Sequence, residues 1–314
     1  MQWEYEEFLT MRRYTALAVL ALLASFVHLS ALGEDPIYVN TLQQWRLQHA
    51  ASLSTQDGWL TVVGLEWLKP GDNTFGTAAD NSVHLPAAGS AHLGIIHVGQ
   101  SDLQLLAPAN GFPADFQVDG HAARNQEIVV DGPNPTQFTF GTLTFFVIRR
   151  GDQTALRIKD SRARARLDFR GLHWYAPDPG YKIEAEWIPY DEPKRVGIQN
   201  VVGIVTPGLV PGVARFKIHD QTISLEPTVQ SLSAKSLLFV IRDATSGKTT
   251  YAASRFLHAE LPDHGLLKPG KILLDFNRLE NPPCAFTPYA TCPLPPDSNK
   301  LKVSLEVGEL NYAH

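Results

Sequence analysis

Leu143-Thr144-Phe145-Phe146-Val147-Ile148-Arg149 and Ala155-Leu156-Arg157-Ile158-Lys159 are two runs of apolar and aromatic residues, joined through Arg150-Gly151-Asp152-Gln153. Such runs suit a pleated, half-buried surface. A Gly-Asp pair between them supplies the positive φ and the side-chain cap of a tight turn. They predict a β-hairpin. In its second strand Leu156 and Ile158 alternate with Arg157 and Lys159, giving one apolar and one cationic face. Asp160 to Phe169 extends the alternation, with Arg162, Arg164 and Arg166 on one side.

The same grammar runs outward in both directions. Upstream, Trp59–Leu65, Asn73–Gly76, Ser82–Pro86, His92–Val98, Leu103–Leu106, Phe116–Val118, Glu127–Val130 and Phe138–Phe140 are short strand candidates between turns. Downstream, Tyr181–Ile188 alternates, Arg215–Ile218 and Thr222–Leu225 pair as a hairpin, and Leu237–Arg242 pairs with Thr249–Ala253. Lys271–Phe276 and a final Lys300–Val307 complete the set. Thr41 to Ala50 is the one helix signal, within Asn40–Ser54 and capped by Asn40. The predicted class is all-β: two β-sandwich or barrel-like units with a short N-terminal helix. The expected segments are a leader at 1–33, a helical piece at 34–55, a first β unit at 56–170 and a second at 171–314.

Composition limits the function. The 314 residues carry 44% hydrophobic and 19% charged side chains and a net charge of -5, so no nucleic-acid partner is expected. Met11-Arg12-Arg13, the apolar run Tyr14–Val27 and Ala31-Leu32-Gly33 have the three parts of a secretory signal peptide. Translation is expected to start at Met11 and cleavage to fall before Glu34, giving a periplasmic or extracellular protein with no stable membrane insertion. An uncleaved anchor is the alternative.

Asp275 to Pro296 holds both cysteines and six of the 22 prolines. Proline fixes φ and removes a donor, so the stretch is neither helix nor central strand but a rigid loop. Cys284 and Cys292, close in sequence and in an exported chain, are expected to be bridged. Asp275, Asn277 and Arg278 are the catalytic candidates, a carboxylate base beside amide and guanidinium donors. Against them stands a plainer role, bonding backbone groups that the prolines leave unpaired.

Several of these stretches also carry a resemblance. Asp57–Leu65, Asn73–Gly76, Leu156–Asp160 and Asp275–Pro296 resemble a bacterial family catalogued as domain of unknown function 1684, over roughly Trp45 to Tyr312. The resemblance implies a shared fold and supplies no activity. Asn73–Gly76 to Asn81–Pro86 is similar to the opening strands of forkhead-associated domains, β-sandwiches that bind phosphothreonine. The loop Gly76-Thr77-Ala78-Ala79-Asp80 lacks the arginine and serine that hold phosphate there, so the first unit is expected to share the sandwich and not the ligand.

No Gly-x-Ser-x-Gly elbow, phosphate loop or His-Glu-x-x-His occurs, and no metal or cofactor is expected. Two classes stay open. One is a ligand- or partner-binding β-protein of the cell envelope, holding a small or anionic ligand through Arg157, Lys159, Asp160 and Asn281. The other is a hydrolase with its site near the Asp275–Pro296 loop. Surface charge is the ordinary fate of such arginines, and the test is whether Asp275, Asn277 and Arg157 share one concavity.

Overall fold

Strand-forming runs dominate the computed structural model, which describes residues 35–85, 90–130, 134–218 and 220–312. The expected leader at 1–33 lies outside these residues, as does the turn residue His219. The chain divides into a short unit ending at Trp45 and a larger one from Arg46 onward. Helix Pro36–Leu53 straddles that division and starts four residues before the expected Asn40. The Ile37 amide is capped by the Asp35 carboxylate at 3.0 Å, and Pro36 sits at the first helical position, where its missing N–H costs nothing.

The larger unit is all-β and contains two sandwich-like cores. In the first, the hairpin of Leu143–Arg150 and Gln153–Asp160 runs in the expected register, Phe145 opposite Ile158. It is the centre of a six-stranded sheet bounded by Val62–Trp67 on one side and Gln137–Phe140 and two short strands on the other. A five-stranded sheet covers it, built around Gly71–Gly76, Gly94–Val98 and Leu103–Leu106. Their inner faces bury Phe75, Phe116, Phe138 and Phe145; the Phe75 and Phe116 rings meet edge-on at 5.9 Å. Large apolar rings burying that much surface are what stabilise a sandwich.

The second core rests on a hairpin that turn-rich sequence concealed. Lys182–Gln199 pairs with Val205–Ile218 along nearly its whole length, interrupted by a bulge between Pro189 and Lys194. Gln221–Leu225 and Gly270–Asp275 flank it, and Leu237–Ile241 pairs with Arg255–Ala259 in a separate ribbon. Trp187 is fully buried and donates its indole N–H to Leu266 O at 3.1 Å. Gly212 lies across from it; a Cβ there would fall 2.9 Å from the Trp187 ring and 2.6 Å from Ile188 O.

Three expected strands are not formed. Asp160–Phe169 breaks its alternation at a single helical turn, Arg164–Leu167, so Arg162, Arg164 and Arg166 do not continue a cationic sheet face. Thr249–Ala253 is not the partner of Leu237–Arg242, because Thr245 and Thr250 hydroxyls and the Asp243 carboxylate close a local polar turn first. Lys300–Val307 is irregular. Its carbonyls are taken by a side chain in place of a ladder: Arg255 donates to Leu305 O at 2.9 Å and to Val307 O, and pairs with Asp243 at 2.9 Å. Both ends of that ion pair are 1% exposed.

Removing one partner of a buried ion pair strands the other charge. Asp243→Ala is therefore expected to cost about 3–5 kcal/mol in urea unfolding. Breaking the exposed Lys271–Glu184 pair should leave the midpoint nearly unchanged.

Candidate functional site

The Asp275–Pro296 loop leaves strand Gly270–Asp275 through a 3-10 turn, Phe276–Arg278, and touches three distinct places in succession. At its start the Asp275 carboxylate caps that turn, accepting from the Asn277 amide and side chain at 3.2 Å each. Asn277 is fully buried; its Oδ1 accepts the Asp178 amide and its Nδ2 donates to Asp178 O, both at 2.8 Å. Arg278 lies 3.5 Å from Asp275. These three residues bond backbone and one another.

Next comes a buried acid–base network. Asn281 donates from its amide and its side chain to the two oxygens of Glu309, each at 2.8 Å. His49, on the C-terminal half of the helix, lies 3.3 Å from Glu280 and 3.4 Å from Glu309, and His258 reaches Glu280 at 3.5 Å. The Trp174 ring meets His49 edge-on at 5.9 Å and carries the Arg46 guanidinium at 4.8 Å. Burial pushes the His49 imidazolium down, but the Glu309 hydrogen bond and the charges of Glu280 and Glu309 outweigh it and raise the pKa above 6.5. Burial lifts the Glu309 carboxyl above its ordinary range, with His49 and Asn281 pulling back. No group of three or more His, Cys, Asp or Glu among the described residues is arranged to hold a metal ion.

Cys284 and Cys292 follow. The expected bridge is corrected: both are free thiols, adjacent and hydrogen-bonded, the Cys284 amide donating to Cys292 Sγ at 3.2 Å. That sulfur meets the Cys284 backbone first, and Thr291 beside it is held by Arg150 at 2.8 Å. Arg157 closes this corner. The expected cationic face is corrected at this residue: Arg157 is 5% exposed, because Trp59 and Phe146 cover it at 5.1 and 5.8 Å. Its Nε and Nη2 have no hydrogen-bond partner among the described residues. Burial, then the charge of Arg150, draw this guanidinium down to about 10, with Cys292 opposing. Lys159 stands over Phe146 at 5.3 Å and donates to Asp57 O; Asp160 accepts the Arg162 amide at 2.8 Å.

The last third of the loop lines a cleft of about 580 Å³, which the sequence did not disclose. Leu294, Pro295 and Pro296 form one wall; Val196, Ile198, Val210 and Val240 form others, and Leu294 N bonds Gln199 O at 2.8 Å to fix the rim. Its charged groups are Glu226, Arg242, Asp297 and Lys300, with Gln199 and Thr228 as further polar lining. Burial raises the Glu226 carboxyl, but hydrogen bonds from Tyr190, Lys194 and Ser298 together hold it below the usual range. Lys194 pairs with Glu226 at 2.9 Å and Lys300 with Asp297 at 2.7 Å. Arg242 forms no ion pair among the described residues; its Nε donates to Ala252 O at 3.1 Å. These residues are spread over more than a hundred positions of sequence, and the Pro189–Lys194 bulge and the buried Asn299, bonded to Glu226 and Val240 backbone, help bring them together. None of the three described cavities is lined by Asp275, Asn277, Arg278, Arg157, Lys159, Asp160 or Asn281.

A group whose folded pKa is raised contributes stability below its unfolded value, and that contribution is lost as pH rises through the folded value. The penalty of His49→Gln should accordingly be larger below pH 6.5 than in alkaline buffer, measured as the difference in urea midpoints.

Residues 167–310 match a family model described as "Protein of unknown function (DUF1684)". That span takes in the second β core and the loop, and is narrower than the Trp45–Tyr312 resemblance. Among solved structures, the solution structure of an uncharacterized protein of Haloarcula marismortui is similar, at 30% identity over 46% of this chain and 78% of that one, with a TM-score of 0.40. No curated protein matches the chain.

Proposed function

We propose, for a chain that belongs through residues 167–310 to the family of unknown function DUF1684, that it is an exported protein binding a small anionic ligand in the cleft beside the loop. The observation that carries this reading is the charge arrangement of the cleft. Lys194 with Glu226 and Lys300 with Asp297 are internally balanced, which leaves the Arg242 guanidinium as the uncompensated charge on a largely apolar concavity. About 580 Å³ is the size of a small-molecule site, and apolar walls with a few fixed polar groups are its usual lining. A planar guanidinium suits carboxylate or phosphate. The favoured ligand therefore has an apolar body and one acidic group, in the class of the C-terminal end of an apolar peptide.

The hydrolase alternative has less to support it. Asp275 and Asn277 are engaged with backbone at the foot of the loop, away from the cleft lining. Export rests on Arg12-Arg13, the apolar run and Ala31-Leu32-Gly33. Among the described residues no helix is long and apolar enough to cross a membrane.

Two measurements check the proposal. Intact mass of the protein from its native host should correspond to a chain beginning at Glu34. In a ligand screen by NMR, acidic fragments should shift the resonances of residues around Arg242. Arg242→Ala should weaken their binding by about tenfold or more, the loss of one charge-assisted contact. Leu294→Trp, which fills the cleft, should abolish it. Shifts confined to other surfaces would reject the cleft.

A further inference from the structure

The loop corner at Cys284 and Cys292 has a feature that the cleft does not account for. A guanidinium buried to 5% exposure, with two N–H-bearing nitrogens lacking hydrogen-bond partners and no carboxylate paired to it among the described residues, has only the Trp59 and Phe146 rings to offset its charge and would gain from an anion forming nearby. The group whose negative form favours the Arg157 charge is the Cys292 thiol. That thiol is buried among Val240, Phe256 and Ala290, beside the Trp59 ring on which Arg157 lies.

We propose that Cys284 and Cys292 are a redox-active dithiol that exchanges with small-molecule disulfides, with Arg157 as the buried counter-charge of the second step. Cys284 is the more exposed of the two and the attacking group. It sits in the 3-10 turn Pro283–Ala285, with its carbonyl fixed by the Tyr251 hydroxyl at 2.9 Å. Hydrogen bonding from Cys292 and from Tyr251, against the effect of burial, draws its thiol below the ordinary value and favours the nucleophilic thiolate. Cys292 is the buried member of the pair, reachable from Cys284 and not from solvent, which makes it the resolving thiol; its neighbour and its burial push its thiol up.

The chemistry balances as a two-electron transfer. The Cys284 thiolate attacks one sulfur of a disulfide R–S–S–R; the R–S–S–R bond breaks, and RS⁻ leaves and takes a proton from water. A mixed disulfide on Cys284 remains. Cys292 then loses its proton to water, its thiolate is stabilised by Arg157, and it attacks the Cys284 sulfur and expels the second RS⁻. The protein is oxidised to the Cys284–Cys292 disulfide and R–S–S–R is reduced to two thiols. Arg157 touches no substrate and is a positioning residue, acting through the Cys292 sulfur.

The test uses the full chain, reduced and then mixed with glutathione disulfide, with acid-quenched intact-mass analysis. The wild type should pass through a transient glutathione adduct and end with two hydrogens fewer and no adduct. Cys292→Ser should stop at a stable adduct. Arg157→Gln should lengthen the life of the adduct by roughly tenfold while leaving its formation rate unchanged, a split that a merely structural loss would not produce. Should Cys292→Ser fail to fold, the wild-type time course under native conditions, compared with the same chain in urea, gives the same answer. An adduct that forms no faster natively than in urea, an Arg157→Gln variant that resolves at the wild-type rate, or a bridge that excess small thiol cannot reduce in the native protein would each overturn the proposal.

Discussion

Arg255 and Asp243 form an ion pair that water does not reach, and much of the C-terminal half is arranged around it. Such a pair is expensive to desolvate and is tolerated only when its remaining donors and acceptors are satisfied. Here most of them are: Asp243 accepts from Thr245 and the Leu305 amide, and Arg255 gives the N–H groups of Nη1 and Nη2 to the carbonyls of Leu305, Val307 and Glu309, while its Nε has no partner among the described residues. One side chain thus does for residues 305–309 what a neighbouring strand would do in a regular sheet. The consequence is a C-terminal segment that is fixed yet irregular. Gly308, at φ +79 and close against Leu279, supplies the kink that lets successive carbonyls face one guanidinium.

Fixing that segment places Glu309, and Glu309 places the root of the proline-rich loop through Asn281. The loop is then tied at intervals to elements far away in sequence: Thr287 to Val62 O, Arg150 to Thr291, Tyr251 to Cys284 O, and Val201 to Cys292 O. Two of those ties reach strands of the first core. The prolines lower the entropy lost in holding such a path, but they also remove donors, and each tie supplies a bond that a ladder would otherwise have made. Rigidity here comes from scattered hydrogen bonds to distant elements, made by side chains and backbone alike.

How much of this the sequence discloses depends on the range over which each feature is determined. The Leu143–Asp160 hairpin is legible because its turn, alternation and register are all local. The long pair of Lys182–Gln199 and Val205–Ile218 is not, since Pro189, Pro193, Pro207 and Pro211 read as breaks until the bulge and edge positions that accommodate them are seen. Arg157 was picked out for the right charge and the wrong surroundings: alternation places it opposite Leu156, but only Trp59 and Phe146 decide that this face is covered. Asp275 and Asn277 were visible as polar residues near prolines, where capping and catalysis look alike in sequence. The cleft left no sequence signal at all, because Glu226, Arg242 and Lys300 meet only through the tertiary fold.

The loop therefore divides by function along its length. From Asp275 to Asn281 every named polar side chain is engaged by backbone, by a buried carboxylate or by its neighbours, and has little left to offer a ligand. From Leu294 to Lys300 the side chains face a cavity, and the backbone is what has been fixed, by Gln199, Asn299 and Arg242. Between the two halves lie the thiols, packed against the Trp59 ring that carries the Arg157 guanidinium. A rigid segment with most of its polar groups engaged at one end and its side chains presented at the other is the arrangement by which a fold fixes a surface within a fraction of an ångström. The residues to vary in testing the proposed recognition are thus those of the cleft wall, while Asp275, Asn277 and Asn281 hold the root of the loop through bonds to backbone and to Glu309.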